Sequence, residues 1–223
     1  MKFYICGDSF CCPDPEHGVM WVDLLRRRLD SDCEIVNLAQ VAASNALISL
    51  QVDRALELGA DFVACHFTSC TRSSFRVRPS NEPLLDQFAS GAMIPYSIPT
   101  CTTLEPHVSA REIDAVRKHY VQYCDLDWEI YVNKCVIESV LSRLRNSTAR
   151  WQFDQGGFEH TSFGSNIGYF ENYDRHRLPF SLWDFTTTRS YRPYFHIVDA
   201  ATHQQIADYY TQWILQQIKQ KEC

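Results

Sequence analysis

Ser9 stands in Gly7-Asp8-Ser9, directly after the apolar run Phe3-Tyr4-Ile5-Cys6. A short strand followed at once by a small residue, an acid and a hydroxyl puts that hydroxyl at the carboxyl end of a first β-strand. Open α/β sheets place their ligand crevice there. Acyl transfer by a serine needs a nucleophile, a base and donors for the oxyanion. Two further segments have residue types suited to that work. Asn37-Leu38-Ala39-Gln40-Val41-Ala42-Ala43-Ser44-Asn45 ends a second strand with an Asn, passes through small residues and opens a helix. Small residues let backbone N–H groups approach a ligand, and a helix N-terminus adds positive potential. Thr68-Ser69-Cys70-Thr71-Arg72 follows a third apolar run and brings hydroxyls and an Arg to the same edge. Each segment alone also reads as an ordinary polar turn. The base must be a histidine that reaches the edge. His196 stands just before the last helix, whereas His203 lies inside it.

The elements that must position these residues follow from hydrophobic periodicity. Strands are predicted over residues 2–6, 34–38 and 61–67, and helices over 19–29 and 44–58, giving β-α-β-α-β and hence a parallel sheet. Gly59 ends the second helix, and Ser44 or the nearby Ala43 marks its start. Residues 73–107 hold five prolines and few periodic stretches, which predicts a long irregular segment. Residues 108–146 read as helix broken near Asp125-Leu126-Asp127, Trp151-Gln152-Phe153 as a further strand, and 200–219 as an amphipathic helix capped by Asp199. The fold class expected is α/β, a three-layer flavodoxin-like parallel sheet. A single domain is expected over 1–223, with an irregular and helical insertion at about 73–148.

Composition narrows the function classes. Of the 223 residues 45% are hydrophobic and 22% charged, enough for one sizeable core. A net charge of −6 argues against nucleic acid as a partner, and Arg26-Arg27-Arg28 is read as a solvated helix face. No apolar run is long enough to span a bilayer, and the N-terminus lacks the pattern of a signal peptide, so no membrane partner is expected. The ten cysteines are scattered without a CxxC pair, which favours free thiols in a reducing cytoplasm. Cys65-His66 are adjacent on one strand and point to opposite faces, so no metal site and no cofactor is expected. The P-loop ending and the G-x-S-x-G elbow are both absent.

Taken together, the motifs resemble the SGNH, or GDSL-type, hydrolase superfamily. The first block matches as Gly7-Asp8-Ser9 with Trp21 and Leu24-Leu25 behind it. The second matches as Asn37-x-Ala39-x-x-Ala42-x-Ser44, with alanine in place of both usual glycines. The third, Gly-x-Asn-Asp in the family, is replaced near Phe67-Thr68-Ser69-Cys70. In the fifth, the acid three residues before the histidine is Pro193, and His196 stands one residue further from its helix. The layout also resembles compact members encoded by bacterial viruses.

The resemblance implies a serine hydrolase acting on a carboxylic ester, including an O-acyl group on a carbohydrate. Ser9 would be the nucleophile and His196 the base. Asp184 and Asp199 are the candidate orienting acids. The N–H groups of Ser9 and Ala42 would serve the oxyanion, with Ser69 or Thr68 standing in for the missing Asn; Asn37 and Arg72 complete the expected site. The partner implied is a small-molecule or glycan ester, in the cytoplasm, or in a host cell or virion for a phage-encoded protein. The departures leave a second expectation open: a non-catalytic binding or structural protein on the same fold.

Overall fold

The computed structural model describes residues 1–12, 19–29, 33–69, 72–76, 93–97, 110–123, 125–154, 167–182, 197 and 199–220. Four parallel strands, β1 (Lys2–Cys6), β2 (Glu34–Asn37), β3 (Phe62–His66) and β6 (Arg150–Asp154), form one sheet in the order β2-β1-β3-β6. β1 lies in the middle, paired with β2 from Lys2↔Glu34 to Ile5↔Asn37 and with β3 from Phe3↔Phe62 to Cys6↔Cys65. β3 continues the sheet to β6, from Phe62↔Arg150 to His66↔Asp154.

Period-two alternation divides the strand side chains between two cores. Phe3, Ile5, Phe62 and Ala64 pack under α1 (Trp21–Leu29) and α5 (Ala200–Lys219). Tyr4, Cys6, Val63, Cys65, Trp151 and Phe153 pack under α2 (Asn45–Glu57) and α4 (Leu126–Arg145). All five β3 residues are buried, as a strand covered on both faces must be. The result is the three-layer α/β architecture that the alternating strand and helix pattern predicts.

Two segments add to that expectation. Within 73–107, expected to be irregular, an antiparallel hairpin forms from β4 (Arg72–Arg76) and β5 (Met93–Ser97), with Ser74 opposite Pro95. The helical stretch divides into α3 (Ala110–Tyr123) and α4, with Asp125 capping α4 by accepting from the Trp128 N–H at 3.1 Å. α4 is a core helix: Val140, Leu141 and Leu144 are fully buried against the sheet and α2. No helix among the described residues is long and apolar enough to cross a membrane.

Candidate active site

The turn that bears Ser9 is fixed from three sides. The Gly7 N–H donates to Oε1 of Gln51 at 2.7 Å, and the Gly7 carbonyl accepts from Nε2 of the same amide at 3.2 Å. The Gln40 N–H donates to that carbonyl as well, at 3.2 Å. A side chain at position 7 would crowd its neighbours: a Cβ there would lie 3.0 Å from Cys11 Sγ and 3.1 Å from His66 Cβ, which would have to give by a few tenths of an ångström.

Asp8 follows, 2% exposed. Its Oδ1 accepts from the Phe10 N–H at 3.1 Å and so caps the single 3-10 turn Ser9–Cys11. Its Oδ2 accepts from the Thr68 hydroxyl at 2.8 Å and from an Arg72 guanidinium N–H at 2.7 Å. One carboxylate thus ties the serine turn to the loop after β3 and to the root of the hairpin. Ser9 opens the 3-10 turn, largely buried, and its carbonyl accepts from the Cys12 N–H at 3.2 Å. Burial, with Asp8's charge adding to it, pushes the Cys12 thiol up to about 12.

The second loop is shaped by Asn37. Its Nδ2 donates to the Cys11 carbonyl at 2.6 Å and its Oδ1 accepts from the Ala39 N–H at 3.0 Å, a side-chain turn that pins this loop to the serine turn. Ala42 has φ +60°, the left-handed region that favours glycine. Ser44 caps α2 by accepting from the Leu47 N–H, and its hydroxyl lies 2.9 Å from that of Ser74 on β4. Among the described residues, neither the Ser9 N–H nor the Ala42 N–H is paired with an acceptor.

The third loop is held by Asn45, which is fully buried. Its Oδ1 accepts from the Thr68 N–H at 2.8 Å; its Nδ2 donates to the Thr68 carbonyl at 2.8 Å and to Asn133 Oδ1 on α4 at 2.9 Å. Thr68 is therefore bonded through its N–H, its carbonyl and its hydroxyl, and the hydroxyl hydrogen goes to Asp8. Ser69 is buried, and its carbonyl accepts from the Arg72 N–H at 3.1 Å. Ser9, Ala42, Thr68 and Ser69 thus follow the carboxyl ends of the adjacent strands β1, β2 and β3.

His196 and Asp184 lie outside the described residues. Asp199 is exposed and caps α5: its Oδ2 accepts from the Thr202 hydroxyl at 2.9 Å and the Thr202 N–H at 3.0 Å. Those bonds hold its carboxyl below the usual carboxylate range. His203 is buried with both ring nitrogens on backbone groups. Nδ1 accepts from the Trp21 N–H at 3.3 Å, and Nε2 donates to the Ile197 carbonyl at 3.1 Å.

A second buried polar cluster stands beside the serine turn. His66, the last residue of β3, has Nε2 3.0 Å from the Tyr210 hydroxyl and Nδ1 3.6 Å from Asp154 Oδ2, which accepts from the Leu182 N–H at 2.9 Å. Burial drives the Tyr210 phenol well above its ordinary value. Gln51, Asn45 and this cluster had no place in the site expected from sequence. Gln51 does carry a signal: it falls on the buried stripe of α2, Leu47, Ile48, Gln51, Val52 and Ala55, where a polar side chain must find a partner. Among the described residues no group of His, Cys, Asp or Glu is arranged to hold a metal ion.

No protein-family model matches this chain, and no curated protein matches it in sequence. A solved structure does. The psychrotrophic esterase EstA from Pseudoalteromonas sp., crystallised inhibited by monoethylphosphonate, superposes with a TM-score of 0.54 over 98% of both chains at 11% identity. The likeness is one of fold: a parallel sheet flanked by helices on both faces.

Proposed function

We propose that this protein is a serine hydrolase that cleaves a carboxylic ester, with Ser9 as the nucleophile. The observation that carries this reading is the serine turn itself. It sits at the carboxyl end of the central strand β1, held by Gln51 and Asp8, with the Ser9 and Ala42 N–H groups, unpaired among the described residues, on adjacent loops. Such a pair, fixed by backbone before substrate arrives, is suited to a developing oxyanion. In this reading Ser69 takes the third donor position, since the Thr68 hydroxyl serves Asp8. His196 is the base, with Asp184 as its orienting acid, because the Asp199 carboxylate is engaged in capping α5. Catalysis then runs by attack of Ser9 Oγ on the ester carbonyl as His196 accepts its proton. The alcohol departs with that proton, and water releases the acid from Ser9.

An O-acyl carbohydrate is the substrate we favour. Trp128 and Tyr131 are 60% and 58% exposed near the start of α4, with ring centroids 5.6 Å apart. The end of α4 feeds the start of β6, so its beginning lies toward the carboxyl edge of the sheet, and Asn133 binds Asn45 there. Exposed aromatic faces at that edge suit the apolar face of a sugar ring.

The test compares wild type with Ser9→Ala on a nitrophenyl acetate. Turnover should fall to background in the variant with its unfolding midpoint unchanged, and a fluorophosphonate should label only the wild type. Equal rates and no labelling would make the protein a non-catalytic relative on the same fold.

A further inference from the structure

The amino-terminal edge of the sheet, opposite the serine turn, holds a cavity of about 420 Å3. Its wall includes Arg145 from the last turn of α4, Arg150 and Gln152 from β6, Arg175 and His176 from the 3-10 helix Ile167–His176, and Trp213 from α5. Among the described residues none of the three guanidiniums has a carboxylate partner. α4, α5 and the 3-10 helix all end here, and helix C-termini attract cations. That accounts for Arg150, which donates to the Gln217 carbonyl of α5, and for Arg145, which also lies over the Tyr173 ring at 5.4 Å.

It accounts for a cation at Arg175, in the last turn of the 3-10 helix, but not for how that side chain is aimed. This side chain is aimed by a relay: its Nε donates to His176 Nε2 at 3.0 Å, which requires the proton on Nδ1. Nδ1 lies 3.1 Å from the Trp151 carbonyl, and the imidazole stacks on the Trp151 indole at 3.8 Å and 11°. Nor does it account for Gln152, 8% exposed, whose Nε2 donates to the Tyr209 hydroxyl at 2.8 Å while Oε1 has no partner among the described residues. The cavity combines unpaired positive charge, one oriented guanidinium fork and an unmatched buried amide. Guanidinium forks fit phosphoryl oxygens two at a time. The volume falls in the range of small-molecule sites and exceeds what a lone phosphate fills.

We propose that this cavity binds a small organic phosphate. The phosphoryl group lies on Arg145, Arg150 and Arg175, the organic body lies against Trp213, and the Gln152 amide meets a polar group of that body. Titration calorimetry at low ionic strength tests this with phenyl phosphate and inorganic phosphate as probes. Phenyl phosphate should bind saturably and more tightly than inorganic phosphate, with affinity falling as salt rises. The Arg145→Gln/Arg175→Gln double variant should weaken it about tenfold or more. Arg175→Lys, which keeps the charge and removes the fork, should weaken it by a smaller factor. Ser9→Ala should leave it unchanged, which separates this site from the serine turn. The proposal fails if neither anion binds saturably, if both bind equally, if the arginine variants bind as wild type does, or if Ser9→Ala abolishes binding.

Discussion

At the scale of single residues, Ala42 and Asp8 make opposite demands on the loops around Ser9. Ala42 holds a left-handed backbone in a side chain's presence, at φ +60°. That conformation is unfavourable by about 1–2 kcal/mol for an L-residue, while glycine loses about 0.4–1 kcal/mol more unfolded-state entropy. Ala42→Gly should therefore raise stability by up to about 1 kcal/mol, and Ala42→Val should lower it, read as shifts in urea midpoint. A glycine variant clearly weaker than wild type would mean that the loop does not carry this strain. Asp8 matters through charge. Its carboxylate faces Arg72 at 2.7 Å with both groups largely buried, so Asp8→Asn removes the negative charge that faces this guanidinium. A loss of about 2–4 kcal/mol is expected, partly recovered in Asp8→Asn/Arg72→Met, because removing both charges is less harmful than removing one. A double variant weaker than the single would show that the pair's worth is not electrostatic.

Among elements, α2 does more than cover the sheet. It sends Ser44 to the hairpin, Asn45 to the Thr68 peptide and Gln51 to the Gly7 peptide, so one helix sets the position of the loops after β1 and β3. Gln51→Leu keeps the bulk and leaves the Gly7 N–H without a partner. Chemical denaturation should show a loss of about 1–3 kcal/mol, and esterase kcat should fall more than KM changes. An unchanged kcat beside lowered stability would confine Gln51 to a structural role. Most of the elements were legible in the sequence. Phe3-Tyr4-Ile5-Cys6 and Phe62-Val63-Ala64-Cys65 are continuous apolar runs, and the α2 stripe repeats at helical spacing. The β4–β5 hairpin was not legible, because Pro95 in β5 removes a ladder donor and argues against a strand there. The loop contacts were hidden for another reason: Asp8 meets Arg72 across 64 residues and Gly7 meets Gln51 across 44, and no local pattern reports on such pairs.

For the whole molecule, the buried thiols and phenol make an alkaline limit. Cys6, Cys11, Cys12, Cys65 and Tyr210 are all pushed up, chiefly by burial. As pH rises past the ordinary thiol value of 9.0, the unfolded chain sheds these protons while the folded chain keeps them. The unfolded state then binds fewer protons, so stability falls with rising pH. This contribution is fully present below the ordinary value and lost as pH climbs toward the raised ones. Urea midpoints at pH 7.5, 9 and 10 should decline in that order; a flat series would mean that the folded thiols ionise as readily as free ones.

The Gly7–Gln51 clamp also bears on ancestry. A glutamine amide that binds both the N–H and the carbonyl of one residue is hard to exchange, and a side chain on that glycine would crowd Cys11 Sγ and His66 Cβ. The two positions are bound to drift together while the loops around them diverge. In lineages too distant for overall identity to register, a glycine closing the first strand, paired with a glutamine two turns into the second helix, should outlast the rest as the trace of common descent.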